Sequence, residues 1–480
     1  MITRRFFLGS GAAFGALGAL GKVPGSPALR FGVISDLHVA LTEKFEVNPN
    51  YDVKEVEHAF AWFRDQKVDA VMICGDIAEG GIVDELKVVA DAWFRVFPND
   101  RAPDGRRVER LFIYGNHDWD CYEERAKRMF PDAQERTRHI LRNDFAGHWK
   151  RVFGEDYAPI YRKTVKGYDF IGAHWDGNAG YRWNGSSSVE DYFAKIGKTL
   201  DPKRPFFYFQ HSHPKDTCYG PWAWGHDDGQ STRALSAFPN AVAISGHSHY
   251  TLTDERAIWQ GAFTSIAASS MHDAGFPADE LYPVGYENTY ACDAVRRQID
   301  AEKLMGEFRP WGHKQGLLVD VYADRLEIDR RDFRTDCSLG AEWIVPLPVA
   351  ETKPYAFAAQ TKRIAVPVWR DGAKLKVVRT KAKNRAGKER DVLEVKIPAP
   401  VARDGARAYR FEVTVAAPGF KRVKYVLAEG FNQASGNEWA SGSTICRFAA
   451  DDLPTGPLIV SVTPENCFYR RGPALSVNLI

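Results

Sequence analysis

None of the seven cysteines forms a Cys-x-x-Cys pair, so the chain offers no zinc ribbon and no thioredoxin-type redox centre. Their odd number leaves at least one thiol unpaired. Long basic runs are missing too, and a formal net charge of +2 argues against electrostatic dependence on nucleic acid. Lysine and arginine gather once, in residues 374–390, which read as the charged face of a solvated hairpin rather than a contact for an anionic surface. No acidic residue precedes Asp36, and the weakly apolar stretch ending at Gly21 is too short and glycine-rich for a spanning helix. Internal repeats and low-complexity segments are absent. What is present is a globular composition of 480 residues, 44% apolar and 13% aromatic, enough for the cores of two domains.

The first residues carry a targeting signal. Thr3, Arg4, Arg5, Phe6, Phe7 and Leu8 read as a twin-arginine leader. Such leaders mark proteins exported already folded. Residues 1–28 are therefore expected to be a signal peptide, the twin-arginine export machinery a partner, and the location periplasmic or secreted. Cleavage is expected after Ala28 or a few residues earlier, with the fold beginning near Leu29. In an oxidising compartment Cys446 and Cys467 become candidates for a disulfide. Cys74, inside an apolar run, reads instead as a small buried hydrophobe.

Five polar segments each begin where an apolar, β-prone run stops. Asp36-Leu37-His38 follows residues 29–34, Gly75-Asp76 follows 68–74, and Gly115-Asn116-His117-Asp118 follows 111–114. Gln210-His211-Ser212-His213 follows 206–209, and Gly246-His247-Ser248-His249 follows 241–244. Asp, His and Asn beside Gly at strand ends describe a site on the carboxyl edge of a sheet, where rigid strands hold converging loops. These residue types suit a pair of divalent cations, which need one bridging carboxylate and hard or borderline ligands around it. Asp76, alone at the end of a buried strand, is the natural bridge, because an unpaired carboxylate there is costly unless a cation neutralises it. Taken singly, Asp36 and Asn116 read as turn formers and Asp118 as a helix N-cap. Taken as an ordered set, five separate turn explanations are a poorer account than one site.

The blocks D-x-H, G-D, G-N-H-D, a His after a strand, and G-H-x-H resemble the calcineurin-like metallophosphoesterases, a superfamily of binuclear-metal phosphatases and phosphodiesterases. The resemblance implies an α/β, four-layer αββα sandwich over residues 29–347. It implies that Asp36, His38 and His249 hold one metal ion, that Asn116, His211 and His247 hold the other, and that Asp76 bridges them. The ions would be Mn, Fe, Zn or Co. It further implies that His117 assists the leaving group, that Asp118 orients its ring, and that Asn116 and His117 reach the substrate's phosphate. The reaction implied is hydrolysis of a phosphate mono- or diester by in-line attack of a metal-bound hydroxide. His213 stays a second candidate for the place of His211, since the family usually shows His, one residue, then Pro, and here Pro214 follows His213. His211, directly at the strand end, is favoured. The chain has His38 where purple acid phosphatases have glycine, and Glu79 where they have tyrosine, so a tyrosinate–iron centre is not expected. A larger nucleotide, phospholipid or wall-polymer substrate positioned by the C-terminal domain is a second reading. An inactive metal-binding scaffold is a third, disfavoured because no block is missing. The oligomeric state stays open.

Helical spacing recurs at Val53, Val56, Phe60 and Phe63, and at Ile82, Leu86, Val89 and Trp93, between strand-like runs, as in βαβ units. Residues 280–314 read as a charged insertion, and 316–321 with 325–329 as a hairpin closing the sheet. After Leu347 short β-prone runs (363–368, 374–379, 392–397, 409–415, 422–428 and 458–462) alternate with turns. Residues 348–480 are therefore expected to form an all-β immunoglobulin-like sandwich without a catalytic constellation. His174, His226 and His272 read as surface or supporting histidines. Tyr219, Trp222 and Trp224 are either a stacking wall for a base or sugar or the private core of a loop.

Overall fold

The computed structural model describes residues 25–51, 53–120, 122–177, 181, 188–276, 304, 312–348, 353–384, 386–401, 407–432 and 444–480. Most of the expected leader and most of the 280–314 insertion lie outside the described residues. No helix among the described residues is long and apolar enough to cross a membrane.

The chain opens with β1 (Leu29–Ile34), α1 (Lys54–Asp65), β2 (Ala70–Cys74), α2 (Val83–Val96) and β3 (Glu109–Ile113), the three strands lying parallel. Helix α1 buries Val56, Phe60 and Phe63, and α2 buries Leu86, Val89 and Trp93, the stripes that their periodicity predicts. Strand β2 is buried at every residue, which is why it reads as an unbroken apolar run rather than an alternation. A hairpin of β4 (Ile160–Val165) and β5 (Tyr168–Ala173) starts a second sheet. That sheet continues through β6 (Phe206–Phe209), β7 (Ala241–Ser245), β8 (Ile258–Gln260) and β9 (Thr264–Ala267), in the order β4-β5-β6-β7-β9-β8. The expected hairpin, β10 (Gln315–Val321) and β11 (Arg325–Asp332), returns to the first sheet with β10 antiparallel to β1. Strands β12 (Cys337–Ser338) and β13 (Trp343–Pro346) complete it by pairing with β11.

The inner faces of the two sheets share one core. Phe31, Met72, Ile113 and Val319 meet Phe170, Phe207, Ile244 and Ile266, and the Phe31 ring stands edge-on to Phe170 and Phe207 at 5.2 and 4.8 Å. Outside the first sheet pack α1, α2 and the helix Phe145–Phe153; outside the second pack the helices Val189–Ile196 and Gln230–Leu235. The result is the four-layer αββα sandwich, with the carboxyl ends of β1, β2, β3, β6 and β7 at one edge.

The C-terminal strands are β14 (Lys376–Lys383), β15 (Glu389–Ile397), β16 (Arg410–Ala417), β17 (Phe420–Leu427), β18 (Thr444–Ala449), β19 (Leu458–Glu465) and β20 (Leu475–Leu479). They form two antiparallel sheets, β14-β15-β18 and β17-β16-β19-β20, whose alternate residues Leu393, Val395, Val413, Val415, Val460 and Val462 enclose a common core. This is the expected immunoglobulin-like sandwich. The basic cluster lies on the β14–β15 hairpin, and β14 is mostly exposed, as a solvated face requires.

Two expectations fail. Residues 363–368 form no strand: Phe357–Arg363 is a short helix, and Val368 makes only an isolated bridge to Val401. Pro367 removes a ladder donor there, and Arg470 Nη1 takes the carbonyls of Thr361 and Ile364, both at 2.8 Å. The disulfide is not formed either. Cys467 is a free thiol buried with Phe276, Tyr409 and Phe431, whereas Cys446 lies in the sandwich core.

Candidate metal centre

Asp36, His38, Asp76, His247 and His249 all have left-handed backbone, with φ of 52, 49, 51, 71 and 55°. For residues with a Cβ each such turn costs on the order of 1–3 kcal/mol, and strain of this kind concentrates at functional sites. The strands impose it. The amides of Asp36, Leu37 and His38 donate to the carbonyls of Gly75 and Asp76 at 2.8–3.0 Å, and Gly246 N donates to His211 O at 2.9 Å. Gly75, with φ of 95°, must be glycine, because a Cβ would stand 2.5 Å from His211 Nδ1.

Two clusters result. In the first, His249 Nε2 is 3.0 Å from Asp36 Oδ1 and 3.0 Å from His38 Nε2. In the second, His211 Nε2 is 3.1 Å from Asp76 Oδ2, 3.1 Å from His247 Nδ1 and 3.0 Å from Asn116 Oδ1. Asp76 Oδ2 also lies 3.6 Å from His38 Nε2, so this carboxylate stands between the clusters. Within Asp36–His38–His249 and within Asp76–His211–His247 the candidate ligand atoms all lie within 4.8 Å of one another. The outer nitrogens are engaged: His38 Nδ1 by Glu79 Oε2 at 2.6 Å, and His211 Nδ1 by Cys74 O at 2.7 Å. Such bonds fix the tautomer that turns Nε2 inward. Convergent imidazole, carboxylate and amide-oxygen donors fit two hard or borderline cations.

The electrostatics of the clusters run in two directions. Burial works against charge on Asp36, yet His249 and His211 hold it well below the usual carboxylate range. Asp76 is lowered in the same way, by His211 and His117 against burial. Burial, reinforced by the charge on His211, presses His247 down to about 3, leaving its imidazole a free base. His211 is the opposite case: Asp76 and Asp36 overcome burial and lift it to about 9.

His117, beside Asn116, meets two carboxylates and one backbone carbonyl. Its amide donates to Asp76 Oδ1 at 2.8 Å, and its Nδ1 lies 3.1 Å from Glu79 Oε2 and 3.2 Å from Glu79 O. Asp118 does not orient this ring, contrary to expectation. Its buried carboxylate accepts from the amides of Ile77, Ala78 and Gly115 at 3.1, 2.8 and 2.8 Å, tying the β2 loop to the short helix α3 (Asn116–Trp119). Burial and Asp76 push it up to about 7, against those three bonds. Glu79 holds His117 instead, and holds His38 with the same oxygen. Burial would raise Glu79, but the two histidines bring it down to about 2. Its only sequence signal is its place, three residues past Asp76 on the same loop.

His213 lies outside both clusters, with its ring nitrogens 2.7 Å from Ser245 Oγ and 2.7 Å from Ser248 Oγ. The strand-end His211 lies within the second cluster. His174 is a core residue whose Nδ1 accepts from Tyr114 N at 3.0 Å, and His226 bonds Cys218 O at 3.0 Å. His272 comes closer to the site than expected, stacked 4.6 Å from Tyr51 and 5.4 Å from the His38 ring. The aromatic loop divides: Tyr219 is buried and donates to Tyr250 O, Trp222 packs by Arg256, and Trp224 lies on the His247 ring.

All five blocks fall within residues 29–251, which match the calcineurin-like phosphoesterase family. The match covers a little under half of the chain, and it is over this region that the protein is similar to the family. Calcineurin-like phosphoesterases typically bind two metal ions, and the two clusters supply candidate ligands for both. No curated protein matches the chain. Similar solved structures include a predicted phosphoesterase from Streptococcus pneumoniae TIGR4, at 12% identity, with 66% of this chain and 97% of that one covered and a TM-score of 0.26. Zn2+-complexed wild-type Vps29 from Entamoeba histolytica aligns at 10% identity over 66% and 99%, with a TM-score of 0.28. A hypothetical protein from Pyrococcus horikoshii OT3 aligns at 11% over 63% and 87%, also at 0.28.

Proposed function

We propose that the protein is an exported two-metal phosphoesterase that hydrolyses a phosphate mono- or diester. The observation that carries this reading is Asp76 standing between two ligand clusters, with His117 beside them. Asp36, His38 and His249 would hold one ion, Asn116, His211 and His247 the other, and Asp76 both. Bound there, the ions supply Lewis acidity toward the phosphoryl oxygens and an activated water.

The chain's own groups do the rest. Asn116 offers its side-chain oxygen to the second cluster, and its amide nitrogen is free to donate to a phosphoryl oxygen. Glu79 engages His117 at Nδ1, which leaves Nε2 to carry the proton to the departing oxygen. Asp118 keeps Gly115 and the β2 loop together, so that Asp76 and Asn116 stay in register. Export rests on the leader at Thr3–Leu8, and the division into a catalytic domain at 29–347 and a sandwich at 348–480 belongs to the same reading.

The test is hydrolysis of p-nitrophenyl phosphate and bis(p-nitrophenyl) phosphate by protein of defined metal content, beside His117→Ala and Asp76→Ala. Diester turnover that both substitutions abolish supports a phosphodiesterase, and monoester preference supports a phosphatase. No turnover of either ester with two metals bound overturns the hydrolase reading.

A further inference from the structure

The loop joining β6 to the helix Gln230–Leu235 lays an indole on the metal cluster. The Trp224 ring centre is 4.4 Å from that of His247, with 31° between the planes, yet 41% of the residue is exposed. The loop is gripped on both sides of this ring. Downstream, His213 N donates to Gly225 O at 2.8 Å and Asp227 N donates to His213 O at 2.8 Å, while the His213 ring holds the serines at 245 and 248 that flank His247. Upstream, Tyr219 N donates to Arg256 O at 2.8 Å, and the Arg256 guanidinium carbon lies 5.3 Å from the Trp222 ring centre. Arg256 is buried, paired with Asp254 at 2.6 Å, and lies 5.1 and 5.6 Å from the rings of Tyr409 and Tyr469 in the C-terminal sandwich.

A flat ring held from both sides, partly exposed and tilted by 31° against the His247 imidazole, is a preorganised surface rather than a loop core. Other aromatic groups stand beside the neighbouring histidines. Tyr122 is 45% exposed, with its hydroxyl 3.3 Å from His117 Nδ1, and Tyr51 stacks on His272. A phosphate bound at the clusters would therefore have its ester substituents among rings.

We propose that Trp224 is a stacking platform that selects phosphate esters carrying a planar aromatic substituent, and that the C-terminal sandwich braces it through Arg256. This deepens the phosphoesterase reading and rests on it for the position of the phosphate.

The test is calorimetric binding of diphenyl phosphate and dimethyl phosphate to metal-loaded protein. The wild type is expected to prefer the diphenyl ester. Trp224→Ala is expected to lose roughly tenfold of that preference, the usual scale of one stacking contact, and Trp224→Phe to keep most of it. An unchanged preference in Trp224→Ala at equal metal content overturns the proposal, as does a wild type without preference. If Trp224→Ala fails to fold or to hold metal, Trp224→Leu is compared with Trp224→Phe. Loss of preference in Leu alone supports the platform, and equal preference overturns it. Turnover of bis(p-nitrophenyl) phosphate by the wild type is read separately. Its absence removes the hydrolase reading, while the binding ratio still decides the role of Trp224.

Discussion

Glu79 serves two imidazoles with one carboxylate oxygen, 2.6 Å from His38 Nδ1 and 3.1 Å from His117 Nδ1. Glu79→Gln keeps the shape and removes the charge, so both rings lose their orienting anion. Loss of such an outer partner lowers activity or metal affinity by about 10- to 100-fold, and kcat/KM should fall on that scale. Full kcat/KM together with full metal content in the variant would contradict this. His174 makes a separate prediction. Burial, with the Lys163 charge adding to it, presses this buried imidazole down to about 3, below the ordinary value of about 6.5. The unfolded chain therefore takes the proton first. Stability is whole above pH 6.5 and declines as pH falls toward 3, by about 1.4 kcal/mol per unit. Urea unfolding between pH 6.5 and 5 should cost the wild type about 2 kcal/mol more than His174→Gln. Identical pH slopes would refute it. Residue type and strand-end position made the ligands legible in the sequence, because Asp, His and Asn have few other reasons to recur there. Glu79 and Asp118 were not, since the direction of a loop side chain is set by contacts over about forty residues, such as Asp118 with Ile77. For Asp118 the helix-start reading comes nearer than the ring-orienting one, because it accepts from Gly115 N at the head of α3.

At the scale of elements, the turn after β2 carries the most constraint. A Cβ at Gly75 would meet both a left-handed φ of 95° and the His211 ring at 2.5 Å. Gly75→Ala should destabilise the fold by about 1–3 kcal/mol, as measured by denaturant unfolding, and should reduce bound metal as His211 moves off Cys74 O. A variant as stable and as well loaded as the wild type would show that the turn relaxes without cost. The loop between β6 and the next helix behaves as a second unit, fixed at Tyr219 and at Gly225. Trp222→Ala should lower the diphenyl-over-dimethyl preference in the same direction as Trp224→Ala but by less, since Trp222 only helps to position the platform. Strands with both faces covered were readable as apolar runs, and helices as stripes. Strands β18 and β20 were missed because Arg447 in one and Ser476 and Asn478 in the other interrupt the apolar texture. Residues 363–368 misled because the carbonyl of Ile364 serves Arg470 and that of Ala365 serves Asn466 rather than a ladder.

At the scale of the molecule, the two halves share a core that the sequence does not announce. Phe276 lies in the chain before β10, yet it is buried with Tyr409, Leu427, Phe431 and Cys467 of the sandwich. Its partners are more than a hundred residues away, and no periodicity links them. Polar ties run through the same region. Arg407 donates to Leu339 O at 2.6 Å and to Phe431 O at 2.9 Å, and Thr253 donates to Asn432 at 3.4 Å. An apolar cluster with buried hydrogen bonds couples two units more tightly than a polar, wet contact does. The intact protein should therefore unfold in one calorimetric transition, with tryptophan fluorescence and far-ultraviolet circular dichroism changing together. Phe276→Ala deletes one ring from the shared cluster at a cost of about 3–5 kcal/mol. Because that loss falls on the coupling rather than on either separate core, the transition should broaden or split, and the sandwich should lose its hold on Arg256. A wild type that already melts in two steps would refute the coupling. So would a variant whose single transition is unmoved, because the ring would then contribute nothing that either half needs from the other.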